Sequence, residues 1–279
     1  MGGLAALLWG LHDLCVRHIS RRADIVGCIA LVLIFGLLFQ LPAMASPSAM
    51  SDVFGMGTAG IAQTCVAGLL LAAACYGLYK AFSIGPVRIV APITAAYPVV
   101  TLSLAGITGN PITPLQWLAV FAVITGATLV STKTAQDKKD FDRRATILWS
   151  VFASICYALM ISVGQTLSAT QPVVPTLLIT RAAAVVCILI LMGVTGGLRW
   201  PAKSDWPMLA FIGFLDACAL GLVFAAGLQE DGALASVTAS LFGVVTILLA
   251  WAFLKEKLVL QQWVGVLVTF VAIGFLASA

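Results

Sequence analysis

His12, Asp13, Arg181 and Asp216 are ionisable side chains set deep inside long apolar runs. If those runs cross a bilayer, a charge at its centre costs about 2.5–3.5 kcal/mol on insertion scales, so each such group faces a cavity or a partner rather than lipid. His12 can hydrogen-bond a solute, carry a proton or be a satisfied packing histidine. Trp9 lies one turn before it, so Trp9, His12 and Val16 share a helical face. Asp13 is turned about 100° from His12 on a helix of 3.6 residues per turn, which directs it to a neighbouring helix or to Arg17 one turn on. Arg181 sits about eight residues, roughly 12 Å, inside its run. A guanidinium at that depth either binds a carboxylate bidentately or pairs structurally, with Asp216 as one partner.

Other polar positions repeat at helical spacing. Thr94, Tyr97 and Thr101 fall on one face, Ser236, Ser240 and Gly243 on another, Ala72, Tyr76 and Tyr79 on a third, and Ser150, Ser154 and Tyr157 on a fourth. Tyr76, Tyr97 and Tyr157 are placed to stack on and hydrogen-bond an amphipathic solute; the small residues equally permit close helix packing. Pro92 and Pro98 remove backbone donors within one apolar run and are expected to kink it, making it a candidate gate. Trp117, Trp149, Trp200, Trp206 and Trp263 lie near run ends, where an interfacial aromatic belt accounts for them.

The elements that position these residues follow from composition. Hydrophobic residues make up 61% of the 279 and charged ones only 9%, against roughly a quarter charged in soluble domains. Apolar runs of spanning length occur near 2–19, 25–42, 59–80, 86–107, 112–132, 145–167, 173–196, 206–228, 232–253 and 259–278, which predicts an all-α polytopic membrane protein of ten helices. The connections leave no room for a soluble catalytic or nucleic-acid-binding domain. The seven cysteines lie in or beside these runs without CxxC spacing and read as packing residues. No metal, disulfide framework or cofactor is called for.

Of the fifteen Lys and Arg residues, all but Arg181 fall in alternate connections, the odd-numbered ones. The other side holds Asp52, Glu230 and Asp231. Basic residues are retained on the cytoplasmic side during insertion, so the odd connections are expected to be cytoplasmic and both termini outside. The net charge of +4 therefore concerns topology, not nucleic acid. The first run lacks the basic leader of a secretory signal peptide.

A shift of 146 residues lays Val99 on Val245, Leu102 on Leu248, Gln116 on Gln262, Trp117 on Trp263 and Val120 on Val266, and a shift of 148 lays Ala5 on Ala153 and Leu11 on Leu159. Ordered matches at a nearly constant offset argue for duplication: a first five-helix unit at 1–132, a charged cytoplasmic linker at 133–144 and a second unit at 145–279. Because five is odd, the second copy is inverted. The basic connections agree, being the first and third of one copy and the second and fourth of the other. Inverted repeats around one central site are a transporter architecture.

Trp9-Gly10, the run Ala91-Pro92-Ile93-Thr94-Ala95-Ala96-Tyr97-Pro98, and Lys255-Glu256-Lys257-Leu258 ahead of Gln262-Trp263 resemble EamA-type members of the drug/metabolite transporter superfamily, over essentially all ten spans. Within it the chain is similar to bacterial aromatic amino acid exporters. The family's usual Gly-Glu appears as Lys255-Glu256, and in the first half as Gly109-Asn110, which reads as a structural turn rather than an ion-coupling motif. The resemblance implies inverted five-helix repeats, with helices one, three, four, six, eight and nine around a cavity, an arginine in helix seven that braces the halves, and alternating-access efflux of small metabolites. The expectation is a monomeric exporter of the bacterial inner membrane moving amino acids, aromatic ones included, with lipid and a small-molecule substrate as its partners. Efflux of cationic or apolar drugs is the alternative. HExxH, GxSxG and paired membrane aspartates are absent from the sequence, which argues against an intramembrane enzyme. His12, Asp13 and Asp216 are the candidates for proton coupling, and uniport fits the chain equally.

Overall fold

A computed structural model describes residues 1–45, 49–107, 113–130, 141–195, 199–226, 238–256 and 258–278. Of the sequence expectations, Ser236, Glu230, Asp231, Gly109, Asn110, Lys257 and the lysines of the linker lie outside them.

The described chain is helical: α1 (Gly2–Ile19), α2 (Ile25–Gln40), the short α3 (Ala49–Gly55), α4 (Gly57–Ile84), α5 (Val87–Ala95), α6 (Tyr97–Ile107), α7 (Pro114–Val130), α8 (Arg143–Thr170), α9 (Val173–Val194), α10 (Trp206–Ala226), α11 (Phe242–Phe253) and α12 (Leu260–Ser278). Each of the ten expected spans contains helix. Six described segments are long and apolar enough to cross a bilayer unaided, among them Gly57–Ile84 and Val173–Val194. α1 is not one of them because it carries His12, Asp13 and Arg17 on 18 residues.

Two spans are broken, and the breaks differ in cause. The fourth divides at Ala96 into α5 and α6. Pro98 has no N–H to give the carbonyl of Thr94 and its ring crowds that carbonyl, so the first helix stops and a new one starts at Tyr97, with the proline in its first turn where no donor is needed. The ninth has a helical turn at 238–240, then Leu241 outside helix, then α11. Leu241 falls on Ala95 by the 146-residue offset, one residue from the first break. The second break has no proline, and the sequence reading treated that span as continuous.

Burial is distributed as in a protein solvated by hydrocarbon. Phe121, Leu118 and Ile124 of α7 are exposed while Arg181 and Thr94 are fully buried. Glycines set the closest crossings. A Cβ on Gly213 of α10 would lie 2.5 Å from the Val32 carbonyl oxygen and 2.9 Å from the Gly36 nitrogen of α2, so these backbones meet directly, the close approach that small residues allow in membranes.

The neighbour pattern is that of two interlocked copies. α4 packs on α8 as α10 packs on α1; α4 meets α9 as α10 meets α2; and α8 meets α5 and α6 as α1 meets α11. α7 with α12, α2 with α9, and α5 with α11 each pair a helix with its own counterpart. Exchanging the halves leaves this set of neighbours unchanged. The main contacts run between halves, not within them.

The odd connections gather at one end of the bundle. Arg22 donates to Asp205 at 2.7 Å, joining the first to the seventh. Gly85 lies against Thr146, joining the third to the fifth. Glu256 of the ninth accepts from the backbone N–H of Val87 at 3.2 Å and of Arg88 at 3.3 Å. Those are orphan donors at the start of α5, where an anion also meets the positive end of the helix dipole. Arg17 reaches Glu256 at 3.5 Å and donates to the carbonyl of Phe82. Lys255 precedes Glu256 at φ 53°, a left-handed conformation that glycine adopts without strain, and it turns the chain so that Glu256 N–H reaches the Ala250 carbonyl at 3.4 Å.

Two outcomes follow for thermal unfolding in detergent. Gly213→Leu is expected to destabilise by about 1–3 kcal/mol through overpacking, whereas Gly193→Leu, with nothing within 4 Å of its Cβ, leaves the midpoint unchanged. Lys255→Gly is expected to raise it, since a left-handed residue bearing a Cβ costs roughly 1–2 kcal/mol; a lowered midpoint would contradict this account of the turn.

Candidate functional site

α1 and α10 cross near the middle of both helices, and the buried charges meet there. The Trp9 indole N–H donates to Asp216 Oδ1 at 3.2 Å, and Arg181 donates to Asp216 Oδ2 at 2.8 Å. One carboxylate thus joins α1, α9 and α10. Arg181 is fully buried, and its guanidinium occupies the space left open by the missing side chain of Gly36. A buried ion pair at this depth is costly to break from one side, since the surviving charge stays in low dielectric.

A second pair lies beside it. His12 Nδ1 and Asp13 Oδ1 are 2.9 Å apart, and the hydroxyl of Thr246 in α11, which donates to the Phe242 carbonyl at 2.8 Å, lies 3.5 Å from Asp13 Oδ2. Helical spacing turns Asp13 away from His12, towards a neighbouring helix or Arg17; α11 is the neighbouring helix it meets. Both residues nevertheless line one central cavity, because neighbouring side chains can curl round the helix to bond each other, while Arg17 is taken by Glu256.

That cavity is lined by Trp9, His12, Asp13 and Leu78, and by Tyr97, Tyr157, Ile161 and Phe242. It draws on α1, α4, α6, α8 and α11. Trp9 and Phe242 meet edge to face at 5.9 Å, and the Tyr157 hydroxyl is 3.9 Å from Cys75 Sγ. The space amounts to about 20 Å³, room for one water and little more. A larger cavity of about 430 Å³ lies between α5, α6, α7 and α8 and is lined mainly by aliphatic residues such as Ile93, Val123 and Ile155. None of the central charges reaches it, so the chemistry belongs to the smaller one.

Several expected site residues lie elsewhere. Arg181 does not line the central cavity and is held by Asp216. Gly243 opens no space: a Cβ there would meet Ala95 at 2.7 Å and Phe270 at 2.9 Å, so it serves the close packing of α5 and α12 against α11. Thr94 and Thr101 spend their hydroxyls on the carbonyls of Val90 and Pro98 in their own spans. Tyr76 stacks edge-on to Trp149 at 5.5 Å, and Tyr79 is buried outside the cavity. Ser240 is buried at the second helix break, and Pro92 is buried in α5. Phe242 and Thr246 are absent from the residues that the sequence singles out, whereas Glu256 lies in the Lys255-Glu256 turn that the sequence marks. Phe242 and Thr246 lie in an unbroken apolar run, and only the offset that aligns the two breaks points to their neighbourhood.

The sequence profile of the EamA-like transporter family matches residues 1–132 and 144–278. The chain belongs to the EamA-like transporter family. Members of this family are membrane transporters of small molecules, not enzymes, and the chain is a multi-pass membrane protein. No curated protein matches it, so the narrower likeness to aromatic amino acid exporters has no support from relatives. A crystal structure 14% identical in sequence superposes with a TM-score of 0.70, over 99% of this chain and 95% of that one. At that identity the likeness concerns fold alone.

The Asp216 junction makes a quantitative prediction. Asp216→Ala is expected to destabilise by about 3–5 kcal/mol by stranding the Arg181 charge, and Arg181→Met added to it is expected to restore much of the loss. Purely additive effects in thermal unfolding would show that the pair is not coupled.

Proposed function

We propose that this chain is an exporter that moves small amphipathic metabolites, amino acids with aromatic side chains among them, out of the bacterial cytoplasm by alternating access. The observation that carries the reading is the convergence of Trp9, Tyr97, Tyr157 and Phe242 with the His12–Asp13 pair on one central cavity. Aromatic faces accept a planar apolar side chain, and the polar pair accepts the groups of the solute that would otherwise stay in water.

The architecture supports a two-state cycle. The neighbour pattern survives exchange of the two halves, as expected of inverted repeats at 1–132 and 145–279 joined by the linker at 133–144, in which one half can take up the arrangement of the other. Both broken spans flank the cavity, at Tyr97 and at Phe242. Interrupted helices at corresponding places in two repeats are the usual address of a transporter's binding site. At about 20 Å³ the cavity is far below the roughly 300 Å³ of a ligand pocket, so it must widen to admit a solute, and the breaks are where the helices can bend.

Orientation follows from the charges. The end at which Arg17, Arg22, Glu256 and Asp205 interlock is the basic one and hence the cytoplasmic one, with both termini outside. The interlock then closes the cytoplasmic end in this conformation. Each copy supplies the other's partner helices, so the working unit is a monomer.

The test is counterflow of radiolabelled phenylalanine in proteoliposomes with no imposed ion gradient. Saturable exchange is expected, reduced about tenfold or more by Trp9→Ala or Tyr97→Ala in protein that still elutes as a folded monomer. Pro98→Ala is expected to slow exchange while leaving phenylalanine binding unchanged, because the bend and not the lining is altered. Absence of exchange for phenylalanine, methionine and threonine, with exchange of a cationic drug, would replace the amino acid reading by the drug-efflux one.

A further inference from the structure

The two central carboxylates are not equivalent. Both oxygens of Asp216 are taken by charged or aromatic donors, Trp9 at 3.2 Å and Arg181 at 2.8 Å, and Asp216 does not line the cavity. Asp13 lines it, has His12 on one oxygen at 2.9 Å, and has on the other only the Thr246 hydroxyl at 3.5 Å, beyond the 2.5–3.0 Å of a well-made O–H···O bond. A carboxylate offers about four acceptor directions, so Asp13 keeps capacity facing the space where a solute would sit.

The charge balance points the same way. Arg181 offsets Asp216, so that among the described residues the Asp13 carboxylate has the imidazole of His12 beside it and no fixed cation. An anion held in a membrane interior without a full counter-charge is unfavourable, and a cation entering the cavity relieves that. The remaining walls suit a cation as well: Trp9, Tyr97, Tyr157 and Phe242 surround the same space, and ammonium groups are attracted to aromatic faces. Among the described residues no guanidinium or lysine lines the cavity; a solute carboxylate would meet only the imidazole of His12 and the hydroxyls of Tyr97 and Tyr157, with no fixed cation to pair with. Arg181, the nearby guanidinium, already holds the Asp216 carboxylate.

Resting on the proposed exporter reading, we infer that Asp13 is the substrate-charge selector: it takes the protonated amine of the solute, and the site recognises aromatic amines whether or not they carry a carboxylate. The solute class is thus set by an ammonium group and a planar apolar body. Amino acids qualify through the amine alone, and the decarboxylated amines qualify better, having no second charge to bury.

The experiment titrates purified protein in detergent with phenethylamine, phenylalanine and 3-phenylpropionate, read by ligand-induced thermal shift. The expected order is phenethylamine first, phenylalanine next and no shift with 3-phenylpropionate; Asp13→Asn weakens phenethylamine by about tenfold or more, as loss of a charge-assisted hydrogen bond does. The order among ligands on unaltered protein holds whether or not the variant folds. Binding of 3-phenylpropionate as tight as that of phenethylamine overturns the inference, as does no shift with any of the three, or a folded Asp13→Asn with unchanged amine affinity. The exporter reading is separable: phenylalanine counterflow inhibited equally by both analogues keeps transport and removes Asp13 as selector, whereas amine binding without any counterflow keeps the selector and removes transport.

Discussion

Hydrocarbon offers no hydrogen bonds, and this fold is arranged around that constraint. Arg181 and Asp216 are buried where water cannot serve them, so they serve each other, and the Trp9 indole completes the carboxylate. Three helices, α1, α9 and α10, are fixed by that one group. Gly36 and Gly213 belong to the same arrangement: without them α2 and α10 could not close together over the guanidinium. The outer surfaces of α7 and α12 carry Phe121, Leu267 and Val271 into lipid, where burial against protein would gain nothing over contact with acyl chains.

The two halves do not behave as domains. Each helix of one copy finds its main neighbours in the other, so neither five-helix unit has a complete interior of its own. The same neighbours recur when the halves are exchanged, which is what supports the proposed two-state cycle. At the basic end Glu256 holds the start of α5 and Arg17 together, and releasing that carboxylate would strip the backbone donors of Val87 and Arg88 of their partner and leave Arg17 without its counter-charge.

The central cavity is small, aromatic and acidic on one side. Trp9, Tyr97, Tyr157 and Phe242 beside the His12–Asp13 pair are what support the proposed solute with a flat apolar body and a polar head. His12 and Asp13 are joined to each other at 2.9 Å and stand apart from the Arg181–Asp216 pair.

Composition and the alternation of basic connections determined by themselves that the chain crosses a membrane through ten apolar helices in two related halves, because spanning length and topology are written in local hydropathy and charge. The proline break at Ala96 was equally legible, a backbone donor being either present or missing. What only the tertiary structure decided is which polar groups meet. Arg181 pairs with a residue 35 positions away and Trp9 with one 207 positions away, and no periodicity encodes such distances. The break at Leu241, the filling of the space beside Gly243 and the turning of Asp13 into the cavity arise likewise from contacts between copies. A sequence fixes the face on which a residue lies, but not the helix that will cover it.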